Sequence, residues 1–174
     1  MINYTIRKPK ESDAEEIIRY SKKLFKESDQ LLTTLEEYNK TIEEQAAWIN
    51  DSLNNPTKLI LVAESDGKLV GLLFFATMGR AKVAHTGEFG VSVDKEFRSS
   101  GIGRSMVEQL IQWALGNPKI EKIFLQVFAS NTRAIKLYTE MGFLEEGRHV
   151  KAVKQMSGAY TDIVQMYRLM ATNR

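Results

Sequence analysis

Residues 88–106 read Glu-Phe-Gly-Val-Ser-Val-Asp-Lys-Glu-Phe-Arg-Ser-Ser-Gly-Ile-Gly-Arg-Ser-Met. Glu88 to Val93 has the composition of a strand that ends at Asp94. A turn with two glycines follows, and then a helix carrying Ile102, Met106, Leu110 and Trp113. Val107, Ile111 and Leu115 widen its apolar face, so the helix is expected to lie against a sheet. Gly116-Asn117-Pro118 stops it. Downstream, Ile120 to Phe128 reads as a strand and Asn131 to Met141 as a helix ended by Gly142. From Phe143 onward a final pair of strands is expected, including Arg148 to Met156 and Tyr160 to Leu169.

Upstream, Leu59 to Ala63 and Leu69 to Ala76 flank Ser65-Asp66-Gly67-Lys68 as a hairpin. A helix is expected from Thr41 to Leu53, with Ile42, Ala46, Ile49 and Leu53 on one face. Asn3 to Lys8 alternates as a first strand. Ser12 and Glu15 then have the spacing of a capping box ahead of Ala14, Ile17, Ile18, Leu24 and Phe25. Ser28 to Asn39 is compatible with irregular or helical structure and is a candidate flap beside a binding site. The order of elements predicts an α+β (mixed α/β) fold. Without repeats or a linker, residues 1–174 are expected to form a single domain.

Composition narrows the functions. With 43% hydrophobic and 26% charged residues the chain has the make-up of a globular protein. No cysteine is present, which excludes disulfides, thiolate metal sites and a cysteine nucleophile. The two histidines, His85 and His149, lack ligand spacing, so no metal is expected. A net charge of +2 gives no ground for a nucleic-acid partner. There is no apolar run of the roughly 18 residues a membrane span needs. The first residues do not resemble a signal peptide, and a cytoplasmic location is expected.

The turn from Arg98 to Ser105 carries the chemistry. A helix N-terminus presents unpaired N–H groups at the positive end of the peptide dipoles. Gly101 and Gly103 would let those amides approach a phosphate, and Arg98 and Arg104 add charge, so a pyrophosphate is the expected ligand. An isolated Arg-x-x-Gly-x-Gly is equally compatible with a tight turn. No Gly-Lys-Ser/Thr is present, and Met106 stands where a dinucleotide loop needs Gly or Ala.

Val91-Ser92-Val93-Asp94, the Arg98-x-x-Gly101-x-Gly103 loop and Asn131-x-x-Ala134-x-x-Leu137-Tyr138-x-x-Met141-Gly142-Phe143 together resemble the GCN5-related N-acetyltransferase (GNAT) superfamily. Glu146-Gly147, Gly158-x-Tyr160-x-Asp162 and Met166 resemble its bacterial amino-acid and ribosomal-protein-alanine branch. The resemblance implies a mostly antiparallel twisted sheet of about seven strands with a splayed parallel pair and about four flanking helices. It implies acetyl-CoA as co-substrate, with the backbone of Val91 and Val93 on the pantetheine arm. Amides and side chains of Arg98, Ser99, Gly101, Gly103, Arg104 and Ser105 would hold the pyrophosphate, and the Val93 N–H the thioester oxygen. Asn131 would touch the cofactor, serve as a helix N-cap, or do both.

By the same resemblance Tyr138 is the general acid for the departing thiolate, its alternative being a core aromatic. Glu88 is the base, with His85 or water as alternatives. Asp162, Tyr160 and Glu146 would border the acceptor cleft, Asp162 being alternatively a structural hydrogen-bond hub. Phe25, Leu31, Leu32 and Trp48 would form its opposite wall or belong to the core. The implied reaction is direct attack of a primary amine on acetyl-CoA in a ternary complex, with a free amino acid or other small amine as acceptor. The alternatives are a peptide N-terminus as acceptor, or an acyl-CoA sensor without turnover. The exposed edge of the late strands is compatible with a homodimer.

Overall fold

Asp66 and Gly67 both take positive φ, 49° and 73°, the two-residue turn that an Asp-Gly pair favours. The strands it joins are the second and third of the sheet in this computed structural model, which describes residues 2–170. The elements are β1 (Thr5–Arg7), α1 (Ala14–Glu27), α2 (Ile42–Asn54), β2 (Lys58–Ser65), β3 (Lys68–Thr77) and β4 (Thr86–Val93). They continue with α3 (Ile102–Leu115), β5 (Lys122–Phe128), α4 (Thr132–Glu140), β6 (Leu144–Lys154) and β7 (Tyr160–Leu169). All seven strands form one sheet in the order β1-β2-β3-β4-β5-β7-β6. Only β4 and β5 are parallel. This is the expected α+β architecture, with four helices among the described residues.

Strand alternation sorts the apolar residues onto two faces. Leu59, Leu61, Leu73 and Phe75 meet Ile102, Met106, Val107 and Leu110 of α3 on one face, where Tyr138 and Met141 of the α4 region join them. Val62 packs on the other face against Ala14, Ile17 and Ile49 of α1 and α2. The helices thus cover both sides of the sheet, α1 and α2 on one, α3 and α4 on the other.

Thr41 and Glu44 make the capping box of α2. The Thr41 Oγ1 accepts from the Glu44 N–H at 3.2 Å, and Glu44 Oε2 accepts from the Thr41 N–H at 3.0 Å. The Ser12–Glu15 capping box does not form. A single 3-10 turn occupies Glu11–Asp13, and Asp13 does the local bonding instead. Its Oδ2 accepts from the Lys10 N–H at 2.7 Å and from the Arg7 guanidinium at 2.6 Å, with a second bond to Oδ1 at 3.1 Å. A carboxylate can tie the turn to the cation on β1, which a serine hydroxyl cannot match in strength. The Arg7 bond holds the Asp13 carboxyl below the ordinary carboxylate value.

Residues 28–39 hold no helix. They are irregular, anchored by Phe25 against Tyr38 with ring centroids 5.0 Å apart. β6 starts at Leu144, directly after the Gly142 stop, because Gly142 at φ 83° turns the chain and Leu144 pairs at once with Tyr167. It is the sheet edge, and its pairing is interrupted between His149 and Val153, where the Lys151 N–H bonds to Asp162 Oδ1 at 2.8 Å.

Candidate active site

β4 and β5 pair only through Thr86↔Lys122, Gly87↔Ile123 and Glu88↔Phe124. Beyond that point each keeps its outer neighbour, β4 as far as Val93↔Gly71 and β5 as far as Phe128↔Ile163. The parallel pair is therefore splayed, and the gap opens a cleft of about 800 Å³, within the range of small-molecule sites. The bonds Met78 N–H to Thr86 O and Asp94 N–H to Val70 O, both 2.9 Å, fix which β4 residues bond to β3. By antiparallel alternation Glu88, Gly90 and Ser92 turn their main chain to β3, and Val91 and Val93 turn theirs to the gap. Arg98 Nε donates to the Val93 carbonyl at 3.3 Å.

The turn after β4 is shaped by its own backbone. Asp94 Oδ1 accepts from the Glu96 N–H at 3.1 Å, and Lys23 of α1 binds its other oxygen at 2.6 Å. Burial works against the Asp94 charge, but these partners hold its carboxyl below the ordinary value. Ser99 and Gly101 both take positive φ, 68° and 90°, which turns the chain into α3. Among the described residues, no acceptor is bonded to the amides of residues 99–104. The first satisfied amide is that of Ser105, which donates to Gly101 O at 3.0 Å. Free N–H groups at a helix N-terminus are suited to an anion. At Gly103 an added Cβ would meet only Val93 Cγ2 at 3.6 Å, so the packing of this chain does not itself demand glycine.

Arg98, Ser99, Gly101, Gly103, Arg104, Val91, Val93 and Asn131 all line the cleft. Ser105 does not. Its hydroxyl hydrogen-bonds to the Tyr4 hydroxyl at 3.0 Å, on the side of α3 away from the cleft, and its amide is used by the helix. The Arg104 guanidinium is ion-paired with Glu140, linking the first turn of α3 to α4. Asn131 caps α4, its Oδ1 accepting from the Ala134 N–H at 3.2 Å.

Tyr138 and Glu88 both border the cleft, from opposite faces of the sheet. Tyr138 packs edge-on against Phe89 and Phe143, ring centroids 5.9 Å from each. Its ring is buried, yet its hydroxyl makes no hydrogen bond among the described residues and is not sealed from the cleft. Burial pushes the phenol above its ordinary value, so it carries its proton at neutral pH. Glu88 alternates with Phe89 and so points to the α1/α2 side, like Ser92, whose hydroxyl bonds to Tyr20 at 3.0 Å. The carboxylate of Glu88 is half-buried and without a partner among the described residues, and desolvation raises its pKa above the ordinary value.

Other candidates are placed elsewhere. His85 is exposed before the first residue of β4, its carbonyl holding the amides of Glu121 and Lys122, and it does not line the cleft. Asp162, Tyr160 and Glu146 do not line it either. Asp162 is the hydrogen-bond hub of the β6 bulge, Glu146 binds Lys122 and Gln165, and Tyr160 lies under Lys151 and Lys154. Phe25, Leu31 and Leu32 are cleft wall, whereas Trp48 packs in the second core cluster. Sequence reasoning missed Phe74, whose ring lies over Gly90 where a Cβ would come within 2.6 Å, and the cleft cations Arg133 and Lys136. The glycine opposite a large aromatic was the readable signal for Phe74. Arg133 and Lys136 follow Asn131 on one helix, which only α4's placement made relevant.

A splayed parallel pair, a cradle of unpaired amides and a tyrosine facing the gap define an acyl-CoA transferase type of site. The model of the acetyltransferase (GNAT) family matches residues 23–143. L-amino acid N-acetyltransferase AaaT of Escherichia coli is 30% identical over 70% of this chain and 75% of its own length. Spermidine N(1)-acetyltransferase of Vibrio cholerae is 27% identical over 84% and 78%. A GNAT-family acetyltransferase structure from Streptococcus pneumoniae superposes with a TM-score of 0.92, at 24% identity over 97% of this chain and 100% of that one. The chain belongs to the acetyltransferase (GNAT) family and is an N-acetyltransferase of that family.

Proposed function

We propose that the protein transfers the acetyl group of acetyl-CoA to a small primary amine by direct attack in a ternary complex. The observation that carries this reading is the row of unpaired amides at 99–104 beside a glycine that the fold does not need. Acetyl-CoA, when bound, would supply an activated thioester and the pyrophosphate for which that cradle is suited. Amides from Ser99 to Arg104 would hold the phosphates, with Arg98 and Arg104 beside them. The gap-facing main chain of Val91 and Val93 would pair with the amide-bearing arm as an added strand. The Val93 N–H is the donor to the developing oxyanion. Asn131 lines this end of the cleft with its cap bond already made, leaving its amide N–H groups for the cofactor.

The two faces of the sheet divide the proton chemistry. Glu88, on the α1/α2 side, takes the proton of the acceptor ammonium so that a lone pair is available. Tyr138, on the α3/α4 side, gives its proton to the departing sulfur. The splay makes both reachable from one thioester. Sequence resemblance and relatives named for L-amino acids and spermidine favour a small amine. A peptide N-terminus is the alternative. The catalytic groups come from one chain, and a homodimer across the β6 edge is compatible with them.

The test is release of free CoA thiol across a panel of amines, with Glu88→Gln beside the wild type. Because burial raises the Glu88 pKa, kcat/KM should fall as pH drops through that raised value. Glu88→Gln should lower kcat/KM by about two orders of magnitude near neutral pH and flatten that limb. Stability moves the other way. The folded state holds this proton to higher pH than the unfolded chain, so ionisation on raising the pH costs stability, and Glu88→Gln removes that loss. An unchanged pH profile in the variant would pass the base role to water. Binding without turnover of any amine would identify a sensor.

A further inference from the structure

The charges lining the cleft are not evenly spread. Its cations are Arg98, Arg104, Arg133 and Lys136, in the β4–α3 turn, on α3 and on α4. Arg98 is held at Val93, five residues from Glu88, which is about 16 Å along a strand. Arg104 is committed to Glu140. On the α1/α2 side the walls are Leu24, Phe25, Leu31, Leu32 and Phe74, and among the described residues the only charged group lining it is Glu88. Leu32 is 61% exposed and Phe74 45%, so two large apolar side chains of this lobe are only partly covered by the chain itself. Its remaining polar groups are largely used. Ser92 bonds to Tyr20, the Ser28 hydroxyl accepts from the Gln30 N–H at 3.2 Å, and the Gln30 side chain bonds to Ser130 at 3.2 Å.

We infer that this lobe selects a primary amine with an apolar or aromatic body and no free carboxylate, which rests on the reading of the cleft as an acetyl-transfer site. An ammonium at Glu88 has its counter-ion there, while its hydrocarbon body meets the leucines and the two phenylalanines. The α-carboxylate of a free amino acid lies within a few ångströms of its amine. In this lobe it would meet no cation, lose its hydration and stand close to a like charge. A polyamine needs a second anion for its second ammonium, and the lobe has one. The lining thus separates acceptors that the sequence resemblance leaves together. The segment carrying Leu31 and Leu32 is pinned on its N-terminal flank, by the Gln30 side chain to Ser130 and by the Asp29 carbonyl to Gln155 Nε2 at 3.3 Å.

The experiment compares kcat/KM for 2-phenylethylamine, phenylalanine amide, phenylalanine and spermidine, each with acetyl-CoA and with thiol release as readout. Phenylethylamine and the amide should exceed phenylalanine and spermidine by roughly tenfold or more. Phenylalanine or spermidine preferred over both uncharged-tail amines overturns this inference and leaves the acetyl-transfer reading standing. No thiol release with any of the four, from protein that still binds acetyl-CoA, overturns both.

Discussion

Replacing Tyr138 with phenylalanine is expected to lower kcat by about 10²–10⁴-fold, the usual worth of a positioned general acid. The same variant should leave acetyl-CoA affinity and the melting temperature unchanged. That separation follows from the surroundings of the side chain. Phenylalanine keeps the ring contacts with Phe89 and Phe143, and the hydroxyl it lacks makes no hydrogen bond among the described residues. A buried tyrosine whose hydroxyl stands free at a cleft contributes little to folding through that oxygen. Stopped-flow thiol release in single turnover, alongside a thermal melt, measures the two effects separately. A kcat equal to wild type with every acceptor would remove Tyr138 from the mechanism.

Gly103→Glu should split stability from binding. Residue 103 lies in the first turn of α3, where the only neighbour of an added Cβ is Val93 Cγ2 at ordinary contact distance. Leaving glycine in a helix gains about 1 kcal/mol, and an acid near the N-terminus adds about 0.3–1 kcal/mol. The apoprotein should therefore melt at or above the wild-type temperature. Acetyl-CoA affinity should fall about 100-fold or more, because a carboxylate then stands where the amides would hold a pyrophosphate. Calorimetric titration of both proteins is the check, and equal affinities would show that the phosphates lie elsewhere.

The sheet, the hairpin turn and the α3 boundary were legible because each is specified locally. Asp66-Gly67 names its own turn, and the apolar face of α3 announces a helix lying on a sheet. The cleft residues of the glycine turn were legible for the same reason. What stayed hidden depends on contacts between distant residues. Ser12 has the spacing of a cap, but Arg7 from β1 gives Asp13 a better set of bonds. Ser105 belongs to the glycine turn in sequence, and Tyr4, a hundred residues away, takes its hydroxyl to the other side. Asp162 and Glu146 look like acceptor ligands until the β6 bulge and Lys122 are seen to occupy them. The apolar lobe was half-visible, since leucines in a segment without periodicity read equally as core or as wall.

The most direct test of the central claim is thermal unfolding with acetyl-CoA, set against ATP and NADH at the same concentration. At about a hundred times its Kd a ligand adds roughly 2.7 kcal/mol, which raises the melting temperature of a chain this size by about 5–10 °C. A shift with acetyl-CoA and none with the two nucleotides is the result expected of a cradle and a splayed strand pair built for an acyl-CoA. An unmoved melting temperature in folded protein would contradict it and return residues 98–105 to the status of a tight turn.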